Sequence, residues 1–305
     1  MKPKLEVRIG KFKLKNPVMA ASGTFGTEYA ELIDINSLGA LITKTITLKP
    51  RIGNPPARIA ETAAGMLNSI GLENKGLDDF LKDKLPLFSK FKTSLIVSIA
   101  GDDGEEFKEL AKRLSRVDRI KGLELNLSCP NIKYGMREYL LAQDEKAAYT
   151  VVKKVRSATG LTIIAKLSPN VADIGKIAKA VESAGADAVS LVNTFQGMAV
   201  DIDTRRPKLG NVTGGLSGPA IKPLALKMVW DTYNKVKIPV IGIGGIMDYK
   251  DAIEFILCGA AAIQVGTANF VNPKVCAEII DGINRYLKSN KIDDIARLVG
   301  RVRLG

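Results

Sequence analysis

At 305 residues the chain is long for one ordinary domain, yet α/β barrels of roughly 250 residues fold as a single unit. An apolar fraction of 46% with 25% charged residues excludes a disordered chain and calls for a large core. The absence of histidine excludes Ser-His-Asp triads, Cys-His pairs and HExxH zinc sites, and leaves Cys, Lys, Tyr, Asp or Glu to accept any proton. The three cysteines, Cys129, Cys258 and Cys276, are too few and too scattered for a disulfide framework or a metal cluster. A net charge of +13 favours anionic partners. The lysines are spread through helical segments, without the basic block or interleaved aromatics of a single-strand binder, so charge does not settle the partner; a small-molecule substrate is expected, with neither nucleic acid nor membrane. The opening MKPKLEVRIG lacks the apolar run of a signal peptide, and no later stretch approaches the roughly 18 apolar residues of a spanning helix. The expected location is the cytoplasm.

Along the chain, LEVRI and KFKLKN read as a short hairpin about Gly10 and Lys11. Eight short apolar runs follow: PVMAAS (17–22), LITKTIT (41–47), LIVSIA (95–100), LELNL (123–127), TIIAKL (162–167), AVSLVN (188–193), PVIGIG (239–244) and AIQVG (262–266). Between them, segments 104–117, 144–159, 172–186, 219–236 and 249–258 repeat apolar residues at three and four positions, as amphipathic helices do. AGAD (184–187) and CGAA (258–261) supply a glycine where a helix stops before the next strand. Eight βα units in one chain predict a single domain, residues 1–305, folded as a (β/α)8 TIM barrel, because closure removes sheet edges. The hairpin would plug its lower end. Three long connections, 48–75, 128–143 and 194–218, would share the C-terminal rim, where barrel active sites are built.

The strand ends carry Ser22, Lys44 with Thr45, Asn126, Lys166, Asn193 with Thr194, Gly244 with Gly245, and Gly266 with Thr267. Two lysines inside an apolar barrel are costly unless something anionic meets them, whether a ligand or a structural ion pair. GIGGIMD and VGTANF form glycine turns running into helices, suited to one phosphate; GxGG alone is weak as a dinucleotide fingerprint. Asn68, Asn126, Asn131 and Asn193 fall on the same rim, and an amide matches both the C=O and the N–H groups of a planar heterocycle. A flavin mononucleotide suits such a pocket, since lysine stabilises the charge of reduced flavin. In NLSCPN (126–131), Cys129 sits just past a strand, beside lysines, where a thiolate can act as base. Cys258 and Cys276, inside helical patterns, read as core packing.

These residues resemble the catalytic subunit of class 1 dihydroorotate dehydrogenase. The resemblance runs nearly end to end, through NPVMAASGTFG, ITKTITLKPRIGNPPARIAETAAGMLNSIGLEN, LELNLSCPN, AKLSPNV, LVNTFQGM, GGLSGPAIKP, IGIGGI and VGTANF. AETAAGMLNSIGLEN and the charged loop after SCPN look like class 1B, whose members use NAD as final acceptor. The resemblance implies one FMN per chain and oxidation of dihydroorotate to orotate in pyrimidine synthesis, with Cys129 taking the C5 proton while a hydride leaves C6 for flavin N5. It implies that Lys44, Asn68, Ser69, Ile70, Gly71, Leu72, Asn126, Asn131, Asn193 and Thr194 hold the substrate. It assigns FMN to Ser22, Lys44, Thr45, Asn126, Lys166, Val192, Gly218, Gly244, Gly245, Gly266 and Thr267, with Lys166 at the N1 and O2 edge. It also implies a partner subunit bearing FAD and an iron–sulfur cluster, and a homodimer within a heterotetramer.

Two places depart from the family pattern. Ser98 in LIVSIAG stands where the family usually has Asn, which shortens or removes a flavin contact, and KYGMREY follows SCPN where a Gly-rich stretch is common. Three rival readings differ in what they require. Fumarate would replace NAD if electrons left directly. A tRNA dihydrouridine synthase, also an FMN barrel with a Cys-Pro motif, adds a helical RNA-binding domain after the barrel, whereas the stretch after the eighth strand here suits a closing helix and tail. A non-catalytic flavin-binding barrel would have no use for Lys44, Asn68, Asn126, Cys129 and Asn193 together.

Overall fold

The structure is a computed structural model that describes residues 3–128 and 141–304. Strands β1 (Val7–Ile9) and β2 (Phe12–Leu14) form the antiparallel hairpin. The first half continues with β3 (Val18–Ala20), β4 (Ala40–Ile42), β5 (Ile59–Thr62), β6 (Gly65–Asn68), β7 (Ser94–Ile99) and β8 (Ile120–Asn126). The second half adds β9 (Thr162–Lys166), β10 (Ala188–Leu191), β11 (Phe195–Met198), β12 (Val200–Asp201), β13 (Arg206–Pro207), β14 (Thr213–Ser217), β15 (Val240–Ile243) and β16 (Ala260–Val265).

Eight of these close into a parallel barrel in the order β3, β4, β7, β8, β9, β10, β15, β16. The last strand returns to the first through Ile263 opposite Val18, Gln264 opposite Met19 and Val265 opposite Ala20. All eight predicted runs are the barrel strands, and the fold is the expected (β/α)8 TIM barrel. Several are shorter than their apolar runs. Past Ile42 the ladder thins to Thr43 N–H donating to Ile96 O (3.1 Å), Ile46 N–H donating to Ser98 O (2.9 Å) and Ala100 N–H donating to Ile46 O (3.0 Å), and in this irregular stretch Lys44 is exposed.

Four of the barrel helices begin where an aspartate caps them. Asp103 accepts from Glu105 N–H and Glu106 N–H to open Gly104–Leu114, whose Phe107, Leu110, Ala111 and Leu114 are buried at the three and four spacing expected of one helix face. Asp144, Asp173 and Asp248 do the same for Glu145–Ala158, Ile174–Ser183 and Tyr249–Leu257. The helix Tyr249–Leu257 stops at Gly259, whose φ of +112° leads the chain into β16. Gly242 in β15 admits the helix itself, since a Cβ there would lie 2.5 Å from Phe255 Cδ1. The hairpin closes the N-terminal end, where Lys11 N–H donates to Thr162 Oγ1 (3.1 Å) at the start of β9.

Two of the three long connections are not plain loops. β5 and β6, from the connection 48–75, and β11 and β14, from 194–218, pair antiparallel as one sheet in the order β11, β14, β6, β5. Their short, half-exposed and glycine-rich sequences, such as TGGLS in β14, carry little periodic signal, and it is the pairing between distant connections that makes them strands. Most of the third connection, 128–143, lies outside the described residues. Among the described residues no helix is long and apolar enough to cross a membrane.

Cys276 is fully buried in Val275–Ser289, where its thiol donates to Asn269 Oδ1 (3.4 Å) and burial pushes its pKa up to about 12. Cys258 caps Tyr249–Leu257 and is half-buried, its thiol raised by burial and by Glu254. Because the thiolate is the reactive form, Cys276 is ionised at pH 8 only on the order of one part in ten thousand. Iodoacetamide at pH 8 is therefore expected to spare Cys276 in the folded protein and to modify it in urea, as read by peptide mass spectrometry. Phe255→Ala, which empties the space over Gly242, is expected to lower unfolding stability by about 3–5 kcal/mol in denaturant titration.

Candidate active site

The strand ends converge on a cavity of about 380 Å³ at the C-terminal mouth. Ser22, Lys44 and Thr45 reach its wall from the ends of β3 and β4; Asn126 and Lys166 end β8 and β9; Val192, Asn193 and Thr194 follow β10. Gly244 and Gly245 follow β15, Gly266 and Thr267 follow β16, and Gly218 follows β14. From the β5–β6 arm come Asn68, Ile70, Gly71 and Leu72. Ser69 does not reach the wall. It is fully buried beneath it, because the alternation of an extended chain turns its side chain away from the face that carries Asn68. Cys129 and Asn131 lie outside the described residues.

A chain of amides and hydroxyls sets the orientation of the polar wall. Asn126 Nδ2 donates to Thr45 Oγ1 (3.2 Å), and that hydroxyl also meets Ser22 Oγ (3.2 Å) and Ser98 Oγ (2.8 Å). Asn193 Nδ2 donates to Asn126 Oδ1 (3.3 Å) and to Ser128 Oγ (3.0 Å), while its own Oδ1 accepts from Thr194 N–H (2.9 Å). Each buried polar group thus has a partner within the network, which is the condition for such a layer to be tolerated in a core. Ser98, fully buried in β7, spends its hydroxyl on Thr45 and does not line the cavity. Ser128, fully buried, ties down the point at which the chain leaves β8.

The two lysines differ. Lys44 is exposed to the cavity and, among the described residues, forms no ion pair. Lys166 is buried, with Nζ 3.3 Å from Glu124 Oε1, so it is both a wall residue and half of a buried pair. Glu73, the carboxylate on the described part of the wall, is held by Arg58 at 2.7 Å. The wall therefore favours an anion, the more so where water is excluded.

Several participants carry weaker sequence signals. Ser217, in GGLSGP, accepts from Thr267 Oγ1 (2.8 Å) and so links β14 to the turn after β16. Asn74 closes the arm: its Oδ1 accepts from Thr47 N–H (3.2 Å) and Gly76 N–H (2.8 Å), and its Nδ2 donates to Leu72 O (2.8 Å). This lock holds Leu72 at a φ of +57°, a conformation an L residue keeps only when its surroundings impose it. Asn170, in AKLSPNV, donates to Thr194 O (3.1 Å) and accepts from Gln196 N–H (3.0 Å), clamping the strand that follows the site. Met66 and Phe270 also line the cavity; nothing in their spacing marks them, since they meet it only through tertiary contacts.

Comparison with known proteins accords with this geometry. A family profile described as Dihydroorotate dehydrogenase matches residues 4–287. A protein of Desulforamulus reducens named "Dihydroorotate dehydrogenase B (NAD(+)), catalytic subunit" is 53% identical over 306 residues, covering 100% of both chains. Proteins of the same name from Caldicellulosiruptor bescii and Geobacter sulfurreducens are 54% identical, over 98% of this chain and 99% of theirs, and 52% identical, over 99% of each. The chain belongs to the dihydroorotate dehydrogenase family of oxidoreductases, in the branch of the class 1B catalytic subunits.

Proposed function

We propose that the cavity binds FMN and dihydroorotate together and oxidises dihydroorotate to orotate. Gly266 supports the cofactor reading most directly. Its backbone is not in the left-handed region, and a Cβ built on it would meet nothing nearer than Ala21 Cβ at 3.8 Å. The protein's own packing gives no reason for glycine there, whereas a planar ligand pressed against the backbone would. Gly244 (φ +134°), Gly245 (φ +70°) and Gly218 (φ +96°) bring backbone to the same end of the cavity, where N–H groups suit a phosphate.

In this reading Ser22, Thr45, Lys166, Val192, Gly218, Gly244, Gly245, Gly266 and Thr267 hold the cofactor. FMN, when bound, supplies the two-electron acceptor for the hydrogen leaving C6 of the substrate. The chain's own residues do the rest. Lys44, which faces the cavity, neutralises the substrate carboxylate or the charge that develops beside it. Asn68, Asn126 and Asn193 present amides to the ring, and the network through Thr45 and Ser128 keeps them from rotating away, so orientation is set before the substrate arrives. Ile70, Gly71 and Leu72 close over the ring, with Ser69 supporting them from beneath and Asn131 completing the set. Cys129 accepts the C5 proton as thiolate. With no histidine in the chain, a cysteine that follows the described Ser128 in sequence is the side chain best suited to that role near neutral pH.

The relatives' names describe one subunit of an NAD(+) enzyme. We extend that to this chain: its electrons pass to NAD through a partner subunit bearing FAD and an iron–sulfur cluster, and two barrels pair within a heterotetramer in the cytoplasm. Anaerobic addition of dihydroorotate to the purified chain is expected to bleach the flavin absorbance. Recovery of colour with NAD only when the partner subunit is added supports this acceptor, while recovery with fumarate alone replaces it.

Two variants test the assignments. Cys129→Ala is expected to retain FMN and to slow flavin reduction by roughly 10²–10⁴-fold, the usual size of a general-base contribution; reduction at the wild-type rate would remove Cys129 from the mechanism. Gly266→Val is expected to fold with an unchanged circular dichroism spectrum and to lose FMN affinity at least tenfold in fluorescence titration. Full affinity in that variant would place the cofactor elsewhere.

A further inference from the structure

Below the cavity floor, the barrel holds a carboxylate that the scheme above does not use. Glu124, in β8, is fully buried and takes no part in the cavity wall. Three strands supply it with donors: Lys166 Nζ from β9 lies 3.3 Å from Oε1, Ser190 Oγ from β10 donates to Oε2 at 3.0 Å, and Gln264 Nε2 from β16 donates to Oε2 at 2.6 Å. All three donate, and an ionised carboxylate is acceptor-only. Gln264 gives its amide N–H to Glu124 although its own buried Oε1 has no hydrogen-bond partner among the described residues.

Such an arrangement is a poor way to gain stability. Taking a carboxylate and an ammonium out of water costs several kcal/mol per ion, and apolar residues of equal volume often serve a core as well or better. The pair is also asymmetric in place. Lys166 reaches the cavity and Glu124 stands behind it, so the carboxylate can influence a ligand chiefly through the ammonium. We infer that Glu124 is a positioning residue: it holds the Lys166 ammonium at the cavity floor and offsets part of its charge, limiting how strongly that edge stabilises negative charge on the bound flavin. The inference rests on the reading of the cavity as an FMN site with Lys166 on its floor.

Sulfite reports this directly, since it binds oxidised flavin reversibly and leaves negative charge on the N1 and C2 carbonyl edge, without substrate or turnover. The experiment compares FMN-loaded wild type with Glu124→Gln, which keeps the side-chain volume and removes the charge. Sulfite is expected to bind Glu124→Gln at least tenfold more tightly, and the flavin potential to rise correspondingly, about 30 mV per factor of ten for a two-electron couple. Ser190→Ala, which drops one hydrogen bond and keeps both charges, is expected to stay within threefold of wild type. Sulfite affinity in Glu124→Gln within twofold of wild type, or weaker, overturns the inference, as does a shift in Ser190→Ala equal to that in Glu124→Gln. If Glu124→Gln does not fold, Glu124→Asp decides: the carboxylate drawn back by one methylene should tighten sulfite binding at least threefold, and no change overturns the inference. Wild-type protein with no flavin absorbance after reconstitution would instead overturn the FMN reading itself.

Discussion

The hydrogen-bonded closure of β16 onto β3 is the constraint on which the rest of this molecule depends. An open parallel sheet would leave two edges of unpaired backbone groups, and each barrel strand is too short to stand without two neighbours. Closure satisfies them all. Because every strand runs the same way, it also carries every C-terminal strand end to one rim. Lys44, Asn126, Lys166, Asn193, Gly244 and Gly266, spread over more than two-thirds of the sequence, therefore line one cavity. The connections after β4 and β10 extend that rim by pairing β6 with β14, so one wall of the cavity consists of two segments that never meet in sequence.

Buried polar groups gather beneath the cavity. Thr45, Ser98, Asn126, Ser128, Glu124, Ser190 and Gln264 are all buried there, and each forms at least one hydrogen bond. A core designed for stability alone would place aliphatic side chains in these positions, since unpaired polar groups are costly and even paired ones contribute only modestly. The concentration of hydroxyls, amides and one ion pair just where the cavity begins is better understood as a rigid support for the groups that touch ligand. Asn126 and Asn193 illustrate it: each fixes the other, so neither must be ordered when a substrate binds. The cost falls on folding stability and the benefit on binding.

The barrel and most of the site were legible in the sequence because their signals are local. Strands recur as short apolar runs, helices as a three and four spacing that ends at a glycine, and the glycine turns by their spacing after β15 and β16. Residues at strand ends are known to face the rim once the fold is known, which is why Ser22, Thr45, Asn126, Lys166, Asn193 and Thr267 could be named in advance. That Ser69 lies beneath the wall while Asn68 lines it is not legible in the sequence, because alternation along an extended segment decides which of two neighbours faces the cavity, and a run such as NSIGL does not reveal its own pleat. Asn74, Asn170 and Ser217 were passed over because their role is to hold backbone rather than to touch ligand, and only the positions of their partners reveal it.

By itself the sequence determined the fold class, the order of the eight barrel strands and the direction in which their ends point, since hydrophobic periodicity and the closure rule act on near neighbours and on the chain as a whole. It also determined that any proton acceptor must be something other than histidine. Only the tertiary structure decided how the wall is assembled: that the two distant connections form one sheet, that Lys44 is left facing the cavity while Lys166 is answered by Glu124, and that a side chain at Gly266 would meet only ordinary contacts. Those are facts of distance between residues tens or hundreds of positions apart, and hydrogen bonds and charges act over distance, not sequence separation.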